Sequence, residues 1–201
     1  MCEKLNQRKR ILEIAKELFL SFGYSKVSMG DIASRLGMSK KTLYVYYEGK
    51  ESLLNAVIDD YRDDITSHMD VIFKDDTKDI VEQGREIFSY IGAKISAINP
   101  YMIEDIYKNA PQAWEKIQQI KKDSAYKLFQ GVLDEGARKG IVRKDINRTL
   151  AVLLYMSATE TIINPNFTRN IPKEMMSEIP FSTSAIFEGL VKIIFEGVLE
   201  R

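Results

Sequence analysis

Apolar residues recur every three or four positions along almost the whole chain and nowhere alternate over a strand-length run, so the pattern predicts an all-α protein. Ile11, Leu12, Ala15, Leu18, Phe19 and Phe22 form a first stripe that stops at Gly23. A longer helix follows Lys50 through Leu54, Ile58, Tyr61, Ile65, Met69 and Ile72, with an acidic outer face at Asp59, Asp60, Asp63 and Asp64 and a turn at 74–77. Next come a helix over 80–98 with Ile87, Phe88, Ile91 and Ile95 inside, and a short one from Asn99-Pro100 to about Asn109. Pro111, tolerated in a first turn, opens a long helix that stops at Gly140. Asp145 starts a helix over 146–164 closed by Pro165, a polar stretch covers 166–180, and the last helix runs over 182–200.

Between the first two stripes lie two short helical patterns that meet at one glycine, SMGDIASRLGMSKKTLYVYYEGKESL over 28–53. Ser28 can cap the first, with Asp31 three residues on completing a reciprocal capping pair. Ile32, Ala33 and Leu36 form its inward face; Gly37 suits the left-handed stop, and Met38 plugs the turn. Ser39 caps the second helix. There Leu43 and Tyr47 point one way, leaving Lys40, Lys41, Thr42, Tyr44 and Tyr46 outward. Lysines neutralise phosphates, while Thr and Tyr hydroxyls bond phosphate oxygens or base edges, and Val45 is small enough to touch a thymine methyl. This is the chemistry of a helix-turn-helix that enters a DNA groove.

The segment 9–54 resembles the DNA-binding domain of the TetR family of bacterial transcriptional regulators. The resemblance rests on Ile32-Ala33, Gly37-Met38-Ser39, Thr42-Leu43-Tyr44, Tyr46-Tyr47, and Lys50 with Leu53, in order and without gaps. It implies that Lys40, Lys41, Thr42, Tyr44 and Tyr46 fall where family members touch DNA, and that Lys50 clamps a phosphate from the start of the following helix; Ser39 as the cap and Val45 by its size complete the expected DNA-facing set. Tyr47 stands where Phe is commoner, and Glu48 puts an acid near the expected path of the DNA backbone.

Charge separates along the chain. Residues 1–52 carry ten Lys and Arg against six Asp and Glu, whereas 53–201 carry nineteen against twenty-three, so a zero net charge hides a basic head on a mildly acidic body. Arg8, Lys9 and Arg10 either lie along phosphates or serve solubility. No apolar run reaches membrane-spanning length and the charged N-terminus lacks a signal peptide, so a cytoplasmic protein with no membrane partner is expected. Cys2 forms no internal disulfide and reads as a frayed terminal residue. The lone His68, with Asp64 four residues before it, reads as structural or surface, so neither a metal nor a cofactor is expected. No catalytic motif surrounds it, which argues against an enzyme.

Two domains are therefore expected: a three-helix head over 1–52, and a larger helical effector-binding and dimerisation domain over 53–201. The last two helices each carry two apolar sides, with Leu150, Leu154, Ala158 and Thr161 on one and Gly189, Ile193 and Gly197 beside Ile186, Leu190, Ile194 and Val198 on the other. The resemblance implies that they pair with their copies in a homodimer. It also implies a small-molecule effector among the central helices, where Trp114, Tyr90, Tyr107, Tyr126, Phe129 and Tyr155 are the candidate walls. The expectation is a repressor released from double-stranded DNA by an apolar or amphipathic ligand. Control by a protein partner, and an α-helical enzyme sharing the head topology, are the alternatives.

Overall fold

A computed structural model describes residues 2–143, 145–163, 172–178 and 183–198. In chain order they form α1 (Cys2–Phe22), α2 (Met29–Leu36), α3 (Lys40–Tyr46), α4 (Lys50–Phe73), α5 (Ile80–Ser96), α6 (Pro100–Asn109), α7 (Pro111–Arg138), α8 (Arg148–Ile163), α9 (Lys173–Glu178) and α10 (Thr183–Val198), with no strand among the described residues. Packing gathers them into two compact units, one of residues 1–64 and 98–118, the other of 65–97 and 119–201.

The first unit is built around the helix-turn-helix. Ile11, Ala15 and Phe19 of α1 are fully buried together with Ile32 of α2, Leu43 of α3, and Leu53 and Leu54 of α4, and Met102, Ile106 and Ala113 of α6 and α7 complete the core. α2 begins in the reciprocal capping pair expected of Ser28 and Asp31. Hydrogen bonds from the Ser28 hydroxyl and N–H hold the exposed Asp31 carboxyl below the usual carboxylate range. The helix ends at Gly37, whose φ of 66° lies in the left-handed region.

Three expectations about this unit are corrected. Phe22 ends the α1 stripe at 61% exposure, because the helix stops there and after Gly23 (φ 90°) it is Tyr24 that enters the core, against Phe19. Asp59 and Asp60 stay half-exposed but are paired rather than free on the outer face: Asp59 accepts a hydrogen bond from Lys116 of α7 at 2.6 Å and Asp60 one from Lys16 of α1 at 2.8 Å. Tyr46 is half-buried against the core, since it sits three residues from Leu43 on the adjoining face.

The second unit centres on a ring cluster. Phe88 of α5 lies 5.5 Å from Phe129 of α7 and 4.8 Å from Tyr155 of α8, and Phe129 and Tyr155 stack at 4.8 Å. α10 packs on α5 and α8. The buried Gln83 amide donates to the Asp75 carbonyl at 2.9 Å, in the turn expected at 74–77. α7 stops before Gly140 (φ 73°), as expected. Two boundaries differ. α8 starts at Arg148, because the Asn147 side chain accepts the Leu150 N–H at 3.2 Å while Asp145 is paired with Arg143. The polar stretch over 166–180 contains α9; Pro165 and Thr161's side chain lie outside the described residues.

An ideal Cβ at Gly37 meets nothing within 4 Å, so only backbone conformation is at stake there. Gly37→Ala should lower the stability of the protein by roughly 1–2 kcal/mol, the cost of holding an L-residue left-handed. Urea unfolding measures this, and an unchanged midpoint would show that the α2–α3 turn does not need the left-handed conformation.

Candidate nucleic-acid interface

α3 spans seven residues, too few to persist by itself, so its orientation comes from what it buries. Leu43 is fully buried and Tyr47, at the C-cap, is 5% exposed. The Ser39 hydroxyl accepts the Thr42 N–H at 3.0 Å and shares a 2.9 Å contact with the Thr42 hydroxyl. Seated in this way, the helix turns Lys40, Lys41, Thr42, Tyr44 and Val45 to solvent, with Tyr44 50% and Val45 65% exposed. Lys40 crosses the start of α2: a Cβ at Gly30 would stand 2.6 Å from its Cε, so Gly30 leaves room for the lysine stem.

Lys50 opens α4, and its environment was not legible in the sequence. Its ammonium donates to the Tyr24 carbonyl at 3.0 Å and stands 4.2 Å over the Tyr24 ring, with the Ser25 carbonyl at 3.4 Å. The opposite side of the same turn is held by α6. Asp105 Oδ2 accepts the Ser25 N–H at 2.8 Å, and Asn109 donates to Oδ1 at 2.7 Å. Burial alone would push the Asp105 carboxyl up; hydrogen bonds from Ser25, Asn109 and the Tyr24 backbone outweigh it and hold the carboxyl below the usual range. The turn that leads into α2 is thus gripped by an ammonium on its carbonyls and a carboxylate on its N–H groups.

The six candidate effector residues divide between the units. Trp114 and Tyr107 belong to the first, meeting edge to face at 5.4 Å, with Trp114 half-buried against the core. Phe129 and Tyr155 are buried in the ring cluster of the second, and desolvation pushes the Tyr155 phenol up. Tyr90 stacks on His68 at 3.6 Å with the Lys94 ammonium 5.1 Å from its ring centroid, and Tyr126 is 48% exposed. Burial, helped by Lys122, lowers Lys121 to about 8. Lys121 precedes the buried Leu128 and Val132 by seven and eleven residues, which puts it on their stripe of α7. Among the described residues no group of three His, Cys, Asp or Glu could hold a metal ion, and no helix is long and apolar enough to cross a membrane.

A capped helix pair with a short, polar, exposed second member defines a helix-turn-helix DNA-binding protein. Residues 11–57 match the family model of bacterial regulatory proteins, tetR family. The chain is 24% identical over 190 residues to the uncharacterized HTH-type transcriptional regulator YvaF of Bacillus subtilis, covering 94% of each. It is 26% identical over 151 residues to the HTH-type transcriptional repressor KstR2 of Rhodococcus jostii, covering 74% of each. Its fold matches that of the transcriptional regulator FadR from Bacillus subtilis in complex with stearoyl-CoA, with a TM-score of 0.66 and 16% identity over 94% of this chain and 98% of that one. The helix-turn-helix segment 11–57 is therefore of the tetR-family type, and the chain is similar over most of its length to HTH-type transcriptional regulators.

Lys50 has two partners to satisfy if it also meets DNA. Lys50→Ala should lower the thermal midpoint by freeing the Tyr24 carbonyl, weaken binding to all duplexes alike, and flatten the fall of log K with log salt by about 0.9 for each phosphate it had neutralised. A lowered midpoint with an unchanged salt slope would confine Lys50 to holding the turn.

Proposed function

We propose that this regulator is a homodimeric repressor in which residues 1–52 read an operator, while 53–201 dimerise and bind a small apolar or amphipathic effector that releases the DNA. The observation that carries the reading is the exposed row Lys40, Lys41, Thr42, Tyr44 and Val45 on a helix seated by Leu43. Ser39 and Thr42 close the end of α3 that enters the major groove first, Lys40 and Thr42 address base edges, and Lys41, Tyr44, Tyr46 and Lys50 meet the backbone. The relative named as a repressor supports the sign of the output.

Dimerisation is supported by the outer faces of α8 and α10. Leu150, Leu153 and Leu154 are 62%, 52% and 61% exposed and Ile193 is 68% exposed, a concentration of apolar surface that a partner helix pair would cover. Gly189 and Gly197 have open space where a Cβ would stand, so a Cβ at either position meets nothing among the described residues of the single chain. Gly189→Leu should therefore leave the subunit folded yet overpack the two-fold contact, costing on the order of 1–3 kcal/mol per altered site and taking operator binding with it. Sedimentation of intact dimers would put the interface elsewhere.

The effector reading is supported by the aromatic side chains of the central helices and by the bound stearoyl-CoA of the FadR structure, a ligand with a long apolar chain and an anionic end. Lys121, half-buried on the core-facing stripe of α7, is the cation we assign to such an anionic end. Release requires that the ligand bind the DNA-incompetent conformation more tightly, because equal affinity for both shifts nothing. Titration with long-chain acyl compounds should change Trp114 fluorescence and weaken operator binding over one concentration range. Binders that alter the fluorescence and leave operator affinity unchanged would contradict the coupling.

A further inference from the structure

We infer that Arg8, seated on the ring of Tyr47, is a DNA-backbone contact at the C-terminal end of α3, an inference that rests on the reading of α3 as the recognition helix. A helix of seven residues is about 10 Å long and, seated in the roughly 12 Å major groove, lies between the two phosphate strands that wall it. A phosphate strand therefore passes near each end. Lys41 serves the first end. The last turn of α3 contains no basic residue, and the ammonium of Lys50, on the next helix, is shared with the Tyr24 and Ser25 carbonyls. Arg8 fills that gap from another helix.

The geometry that brings it there belongs to Tyr47, the C-cap of α3. The Arg8 guanidinium carbon stands 4.9 Å from the Tyr47 ring centroid, and the Tyr47 hydroxyl donates a long 3.5 Å contact to the Arg8 carbonyl. The ring, nearly buried beneath, orients a planar cation whose remaining N–H groups stay in solvent, because Arg8 itself is exposed. A guanidinium held in this way gives up less freedom on meeting a phosphate than a lysine swinging from its stem. Lys4, one turn earlier on α1, and Lys9 and Arg10 are exposed beside it and raise the local positive potential. Glu48, exposed in the turn after α3, is an acid of the same neighbourhood in sequence, so the fixed position of Arg8 offsets its repulsion of the backbone.

The test uses the full-length protein and a duplex that wild type selects from a random library. Each phosphate left without its cation should reduce the slope of log K against log salt by about 0.9, so R8Q should reduce it by about 1.8 on a two-half-site operator, and each doubling of salt should then cost wild type about 3.5-fold more than R8Q. R8K should regain the slope, Y47F, which keeps the ring, should retain it, and K127Q, which removes an exposed cation of α7, should leave it alone. Circular dichroism of R8Q should match wild type. Equal slopes for R8Q and wild type, or a slope reduced equally in K127Q, would overturn the inference while leaving α3 as the recognition helix. Failure of wild type to select any duplex would instead remove the reading of α3 itself.

Discussion

The burial of Leu43 and Tyr47 is the interaction on which the rest of this protein depends. A helix as short as α3 has no stability of its own, so its direction, and with it every side chain offered to DNA, is set by two residues sunk into the core of α1, α2 and α4. Removing a buried leucine of this kind typically costs about 2–5 kcal/mol, more than any single contact the helix makes at its surface. The caps refine what the core imposes. Ser39 fixes where α3 begins, Gly37 fixes the angle at which α2 leads into it, and the Ser28–Asp31 pair fixes where α2 starts.

The reading head is also tied beyond its own three helices. Asp105 and Asn109 of α6 and Lys50 of α4 grip the turn at Tyr24 and Ser25 from its two sides, and Lys116 of α7 pairs with Asp59 of α4. Partly exposed ion pairs of this sort contribute modest stability, yet here each joins helices far apart in sequence. Their value is positional: the compact unit around the helix-turn-helix takes in α6 and the start of α7, and α6 holds the turn that leads into α2 directly.

What could be read from the chain alone was local in origin. The capping pair at Ser28 and Asp31, the left-handed stops at Gly37 and Gly140, and the proline starts at Pro100 and Pro111 each depend on a few consecutive residues, and each stands where expected. What escaped sequence reading depends on distant partners. Asp59 and Asp60 pair with lysines 57 and 44 residues away, Lys50 reaches a carbonyl 26 residues away, and Arg8 finds the ring of a residue 39 positions on. Periodicity says which face of a helix is apolar. It does not say which neighbour supplies the countercharge, nor that Phe22 at the tail of an apolar stripe would be left outside.

Selection of duplexes from a random library by the wild-type protein tests the central claim most directly. Two copies of α3 presented across a two-fold axis should enrich an inverted repeat whose half-sites lie a whole number of helical turns apart, with affinity that falls steeply with salt. Recovery of no enriched sequence, with equal and weak binding to all duplexes, would contradict the assignment of base reading to the exposed face of α3.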